Sequence, residues 1–325
     1  MKEMRELSRI WDMRNLRTQP FPVFPSVLTP FMLNLLLSLI ALVLLVTGIF
    51  LGYLRWIRPR RGTLGFQSTG LMLLLVTTFM GGLLGSPFWW LDLAPSFAWD
   101  LPPLASRMLA AAALSFAVVS FIALEQPRRR PVRLVLILLV VYLAPLVAAA
   151  VLWHLDRFNL AAPVTYGFFI IAAGMTVSAL WYCLRQPACA PDLALPDGPP
   201  PGVITWLLLV AGVTGLWGLA LFVSDSGPSP LIWAWPGDPL SSRLIGVMLL
   251  ALAAGALVGL REMATARMVL WLGVTYGSGL ALASLWNVIG GRPVKWSYVV
   301  VFGLIALGSA VLLWVNRGRI APRTL

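Results

Sequence analysis

Residues 31–54 read FMLNLLLSLIALVLLVTGIFLGYL, without one charged side chain. The hydrocarbon core of a bilayer takes about 20 apolar residues as a helix. The run is apolar on every side, which fits neither an amphipathic helix of a soluble core nor an alternating strand. A leader of 30 residues precedes it. The run also exceeds the 7–15-residue apolar region of a cleaved signal, so it is expected to remain as an anchor.

Eight further stretches have the same character: 69–87, 104–124, 132–153, 163–184, 203–223, 243–260, 268–286 and 297–315. The weakest is 69–87, where Pro87 is expected to cut the helix short and a re-entrant segment is the alternative. Beta-barrel segments alternate apolar and polar residues, and these do not.

The whole composition agrees. Of 325 residues, 59% are hydrophobic and 11% charged, a balance that cannot clothe a soluble surface of this size. Such apolar content also excludes a disordered chain. The net charge of +12 rests almost wholly on arginine, only Lys2 and Lys295 being lysines. In lipid this reads as loop charge beside anionic headgroups rather than a nucleic-acid footprint.

Loop charge orients the chain. One set of loops holds RWIRPRRG, PRRRPVR, Arg185, REMATAR and NRGRIAPR, 14 basic residues in all, while the other holds Arg107, Arg157, Arg243, Arg292 and Lys295. The first set is expected to be cytoplasmic. Nine spans then leave the C-terminus inside and the N-terminus outside. The tail, with five basic and three acidic residues, opposes this. Its Met4, Leu7, Ile10 and Trp11 share a helical side and suit a surface helix or a contact with another protein. The Arg-heavy, Ala- and Leu-rich usage points to a bacterial inner membrane.

A repeat organises the rest. FAWDLPPLASR at 97–107 matches WAWPGDPLSSR at 233–243 with an offset of 136. Trp99 pairs with Trp235, and Pro103, Leu104, Ser106 and Arg107 with Pro239, Leu240, Ser242 and Arg243. Farther on, Tyr142 pairs with Tyr276, Trp153 with Trp286 and Tyr166 with Tyr298. The expected fold is all-α: an N-terminal membrane helix (31–56) after a basic tail (1–30), a four-helix unit (69–184), a Pro/Gly-rich linker (185–202), a second four-helix unit (203–316) and a basic C-terminal tail (317–325). An even number of spans per unit relates the copies by a pseudo-two-fold axis along the membrane normal.

The repeated motif is expected on the outer face. Trp99 and Trp235 suit the interface. Arg107 and Arg243 can snorkel or pair, with Asp100 and Asp238 as obvious acids. The motif is then an interfacial anchor or, alternatively, a pair of sites for an anionic headgroup, carboxylate or partner protein. Tyr142 and Tyr276 can meet at the repeat interface, although hydrogen bonding between helices is the expected role of in-span polar groups. Four GxxxG pairs, Gly48/Gly52, Gly81/Gly85, Gly255/Gly259 and Gly273/Gly277, predict close helix packing.

No Asp, Glu, Lys, Arg or His stands in the centre of any span. Coupled transport and intramembrane catalysis ordinarily need one there. The only histidine, His154, lies at the edge of a span, and Cys183 and Cys189 lack the second pair of a zinc site. No catalytic residue, metal or cofactor is predicted, and a bound lipid or quinone is compatible. The expected partners are the bilayer and other membrane subunits. The expected function is a non-catalytic membrane subunit or scaffold, as in complexes that handle quinones or pigments. The alternatives are a transporter for a neutral or lipophilic solute with a path between the repeats, and an enzyme at the outer interface.

Overall fold

The computed structural model describes residues 30–60, 66–93, 96–160, 162–185, 198–229, 231–234, 236–289 and 291–317. The N-terminal tail, Cys189, Trp235, most of the linker and the end of the C-terminal tail lie outside these residues. The long helices are α1 (Pro30–Gly52), α2 (Phe66–Trp90), α3 (Pro103–Glu125), α4 (Arg129–Trp153), α5 (Pro163–Arg185), α6 (Pro201–Val223), α7 (Pro239–Gly259), α8 (Met263–Trp286) and α9 (Trp296–Val315). Among the described residues, nine helices are long and apolar enough to cross a membrane, so the chain is a multi-pass, all-helical membrane protein.

Two compact units divide within α1, after Leu39. Of the first, only helical residues 30–39 are described. The helix bundle belongs to the second, Ile40–Leu325.

All but α5 begin earlier than the apolar runs, because a helix continues past the hydrocarbon into polar end turns. Pro103, Pro201 and Pro239 stand in the first turns of α3, α6 and α7, where the missing N–H costs nothing. At α7, Asp238 accepts a hydrogen bond from the Ser241 amide at 3.2 Å. Arg243 therefore sits a full turn inside its helix.

Pro87 does not end α2, contrary to the sequence expectation; the helix runs on to Trp90. Proline removes the donor that Leu83 O would receive, and the Ser86 hydroxyl supplies one instead at 3.2 Å. The helix stops in a Schellman cap. Leu93 N bonds Phe88 O at 3.1 Å and Asp92 N bonds Trp89 O at 3.2 Å. Asp92 takes the left-handed position with φ 58°.

Helices α3, α4, α7 and α8 are the most buried and form the centre. The principal pairings are α2 with α3, α6 with α7, α8 with α9 and α4 with α5, joined across the centre by α3 against α8 and α4 against α7. The seam is filled by aliphatic side chains such as Leu134, Leu138, Leu146, Leu244, Ile245 and Leu252, all essentially inaccessible.

Glycine sets the closest crossings. A Cβ on Gly82 would stand 2.2 Å from Ala113 O, joining α2 to α3. Gly218 and Gly246 face each other across α6 and α7, each 2.8 Å from the other's carbonyl by the same measure. Gly273 and Gly277 carry α9 against α8, as their spacing predicts. Gly81 meets nothing, so Gly82 is the packing residue of that segment.

Several in-span hydroxyls bond inside their own helix, where bonds between helices were expected. Thr78, Ser115, Thr176, Thr214 and Ser278 donate to the carbonyl four residues back at 2.6–2.8 Å. That acceptor is always within reach of a helical Ser or Thr and needs no partner helix. Trp206 is an exception, donating to Ser309 Oγ of α9 at 3.1 Å.

Candidate functional site

The connections 91–102, 154–162, 224–238 and 287–295 share one end of the bundle, the motif end. Described residues of the two matching segments, far apart in sequence, converge there. Ala98 of the first copy and Leu240 of the second lie in one small apolar cluster with Ala150 and Phe158. Trp99 packs on Phe158 at 5.2 Å and on Phe168 at 5.4 Å between ring centroids. Thr165 ties this loop to α5 by donating to Asn159 O at 2.8 Å.

Above the cluster is a cleft of about 430 Å³ lined by Trp99, Asp100, Leu101, Pro102, Arg157, Asp238 and Leu240. The sequence suggested two separate sites; the fold makes one cleft from both copies. Its charged lining is two carboxylates and one guanidinium, which suits a cation or a basic segment better than an anion. Arg157 also approaches Asp156 at 3.9 Å, an exposed pair of little energetic weight.

The motif arginines point elsewhere. Arg243 donates from Nε to Phe222 O at 3.2 Å and lies over the Trp153 ring at 4.8 Å. Its guanidinium also meets His154 Nε2. Arginine has only donors, so Nε2 is the acceptor and the imidazole proton is assigned to Nδ1. Burial and then the Arg243 charge hold the His154 pKa below its ordinary value. Arg107 donates to Pro103 O at 3.2 Å, and Asp92 and Arg292 are the charges it feels. Neither arginine forms an ion pair with Asp100 or Asp238 among the described residues: Arg107 turns along its own helix, and Arg243 reaches across to α6 and to the end of α4. The sequence did not flag Phe158 and Phe168, whose aromatic character was visible but whose meeting with Trp99 was not.

Tyr142 stacks on Phe116 at 5.3 Å. Tyr276 is only 2% exposed, and its hydroxyl finds no partner among the described residues. Tyr142 stands on α4 and Tyr276 on α8. Among the described residues no hydrogen bond joins them.

The opposite end is locked by acids. Trp56 Nε1 donates to Glu125 at 2.9 Å, and Arg55 approaches the same carboxylate at 3.7 Å. Glu262, at the N-cap of α8, is buried and paired with Arg130 of α4. Among the described residues, no cluster of three or more His, Cys, Asp or Glu is placed to hold a metal. Compared with protein-family models, curated proteins and solved structures, the chain matches none.

Proposed function

We propose that this chain is a non-catalytic polytopic membrane subunit, a scaffold of two duplicated four-helix units that presents a docking platform at its motif end. The packed seam carries the reading. Helix α4 packs on α7 and α3 on α8, and the side chains buried on these four helices are chiefly apolar, with Tyr276, Ser115, Ser120 and Ser284 among those of α3 and α8, which supports a filled seam over a solute path between the units. In the cleft, no carboxylate is hydrogen-bonded to another titratable group among the described residues, which gives an enzyme reading no acid–base pair to start from.

The duplication is supported by geometry as well as sequence. The pairings α2–α3, α4–α5 and α3–α8 correspond to α6–α7, α8–α9 and α7–α4 when the units exchange places. Gly82 and Gly218, separated by the same offset of 136 as the motif, make the closest approaches in α2–α3 and α6–α7. Such an exchange is what a pseudo-two-fold axis along the membrane normal produces. The platform combines exposed aromatic and aliphatic surface with the acidic cleft, the mixture expected where a membrane neighbour with a basic loop seats. We place the motif end outside in a bacterial inner membrane on the basic-loop asymmetry.

The test is purification from the native host in mild detergent, with mass spectrometry of intact complexes. A stoichiometric membrane partner is expected, and a photocrosslinker at Asp100 should capture that same partner. A clean monomer under conditions that keep known complexes intact overturns the proposal.

A further inference from the structure

At the arginine-rich end, α8 and α9 enclose a groove of about 350 Å³ lined by Arg267, Trp271, Val274, Ala310, Leu313, Trp314 and Arg317. On α8, Arg267, Trp271 and Val274 follow the spacing i, i+4, i+7, which is one helix face. On α9, Ala310, Leu313 and Trp314 follow i, i+3, i+4, and Arg317 stands just past the helix end, three residues beyond Trp314. The helices are consecutive, antiparallel and packed together. Both walls therefore run in the same order along the bundle: apolar residues deepest, then tryptophan, then arginine at the rim. The Arg317 guanidinium lies over the Trp314 ring at 5.2 Å, which holds it at the groove.

Among the described residues the charge at the rim is uncompensated. Neither Arg267 nor Arg317 pairs with a described acid, while Glu125 and Glu262 at that end are engaged by Trp56 and Arg55 and by Arg130. We propose that the groove binds one anionic phospholipid of the surrounding leaflet. Arg267 and Arg317 hold the phosphodiester, the two tryptophans flank the glycerol level, and Val274, Ala310 and Leu313 receive an acyl chain. A soluble phosphate would use the rim and leave the apolar wall idle. A zwitterionic headgroup would answer two guanidinium charges with no net charge of its own. The site does not depend on the scaffold reading, and its failure would leave that reading intact.

The experiment uses the full chain, delipidated in detergent and examined by native mass spectrometry. Phosphatidylglycerol, phosphatidylcholine with the same acyl chains, and inorganic phosphate are titrated separately. Wild type is expected to take up one phosphatidylglycerol in preference to phosphatidylcholine. R267Q/R317Q should weaken phosphatidylglycerol binding about 30-fold and leave phosphatidylcholine unchanged. R128Q/R129Q, an equal charge loss at the same end outside the groove, should bind as wild type. Arg129, Arg267 and Arg317 are exposed and Arg128 is half-buried, and an unchanged elution profile and melting curve establish that both variants fold. The proposal is overturned if R267Q/R317Q keeps the preference, if R128Q/R129Q loses it equally, or if inorganic phosphate competes the lipid away at comparable concentration.

Discussion

His154 is kept neutral by its surroundings, and this gives the protein a pH dependence with a definite sign. Its folded pKa lies below the unfolded value of about 6.5, through burial and the neighbouring Arg243. The unfolded chain therefore binds the proton first as pH falls. The stability this group contributes is complete above about pH 6.5 and declines below it. Melting temperature in detergent should fall between pH 7 and pH 5, and H154Q, whose amide oxygen can still accept from Arg243, should flatten that part of the curve. An equally steep profile in H154Q would remove His154 as the cause. At the opposite end, the Glu262 side chain is 6% exposed and that of Arg130 is 43% exposed. Removing the arginine strands a buried carboxylate, whereas neutralising the acid leaves a guanidinium that reaches water. R130A should therefore cost about 2 kcal/mol and E262Q clearly less, read from chemical denaturation in micelles.

Helix pairs here are held by backbone proximity, because lipid supplies no hydrophobic force between helices. Gly82 is the test. G82V would drive a side chain into Ala113 O, and overpacking of this kind costs about 1–3 kcal/mol. G81V, one residue away, enters open space and should melt close to wild type, apart from the general cost of a β-branched residue in a helix. If both variants melt alike, the close crossing of α2 and α3 is wrong. The sequence pointed to Gly81 and Gly85 because their spacing matches a motif. Spacing cannot say which side of an all-apolar helix meets a neighbour. Pro87 teaches the reverse lesson: the residue is a helix breaker in isolation, and the adjacent Ser86 hydroxyl makes it tolerable.

At the scale of the molecule, the motif end and the arginine-rich end should lie on opposite sides of the membrane. In a background with Cys183 and Cys189 replaced by serine, R157C should react with an impermeant thiol reagent in intact cells. R129C should react only after the membrane is opened. The opposite pattern would invert the topology. The convergence of Asp100 and Asp238 on one cleft belongs to the same scale, since it exists only when α7 has packed against α4.

Span number, membrane class and charge asymmetry were legible from sequence alone because each is a local sum: about 20 apolar residues span a bilayer wherever they occur. The motif residues were legible too, because Trp, Pro and Arg recurring at one offset are rare in an Ala- and Leu-rich chain. Their geometry was not. In a soluble helix the contrast between polar and apolar faces announces the buried side, but these helices are apolar all round and carry no such signal. Which helices pair, whether Arg243 turns to Asp238 or to His154, and whether two motifs make two sites or one were decided only by tertiary packing. That packing depends on small differences in shape between surfaces that hydropathy reads as identical.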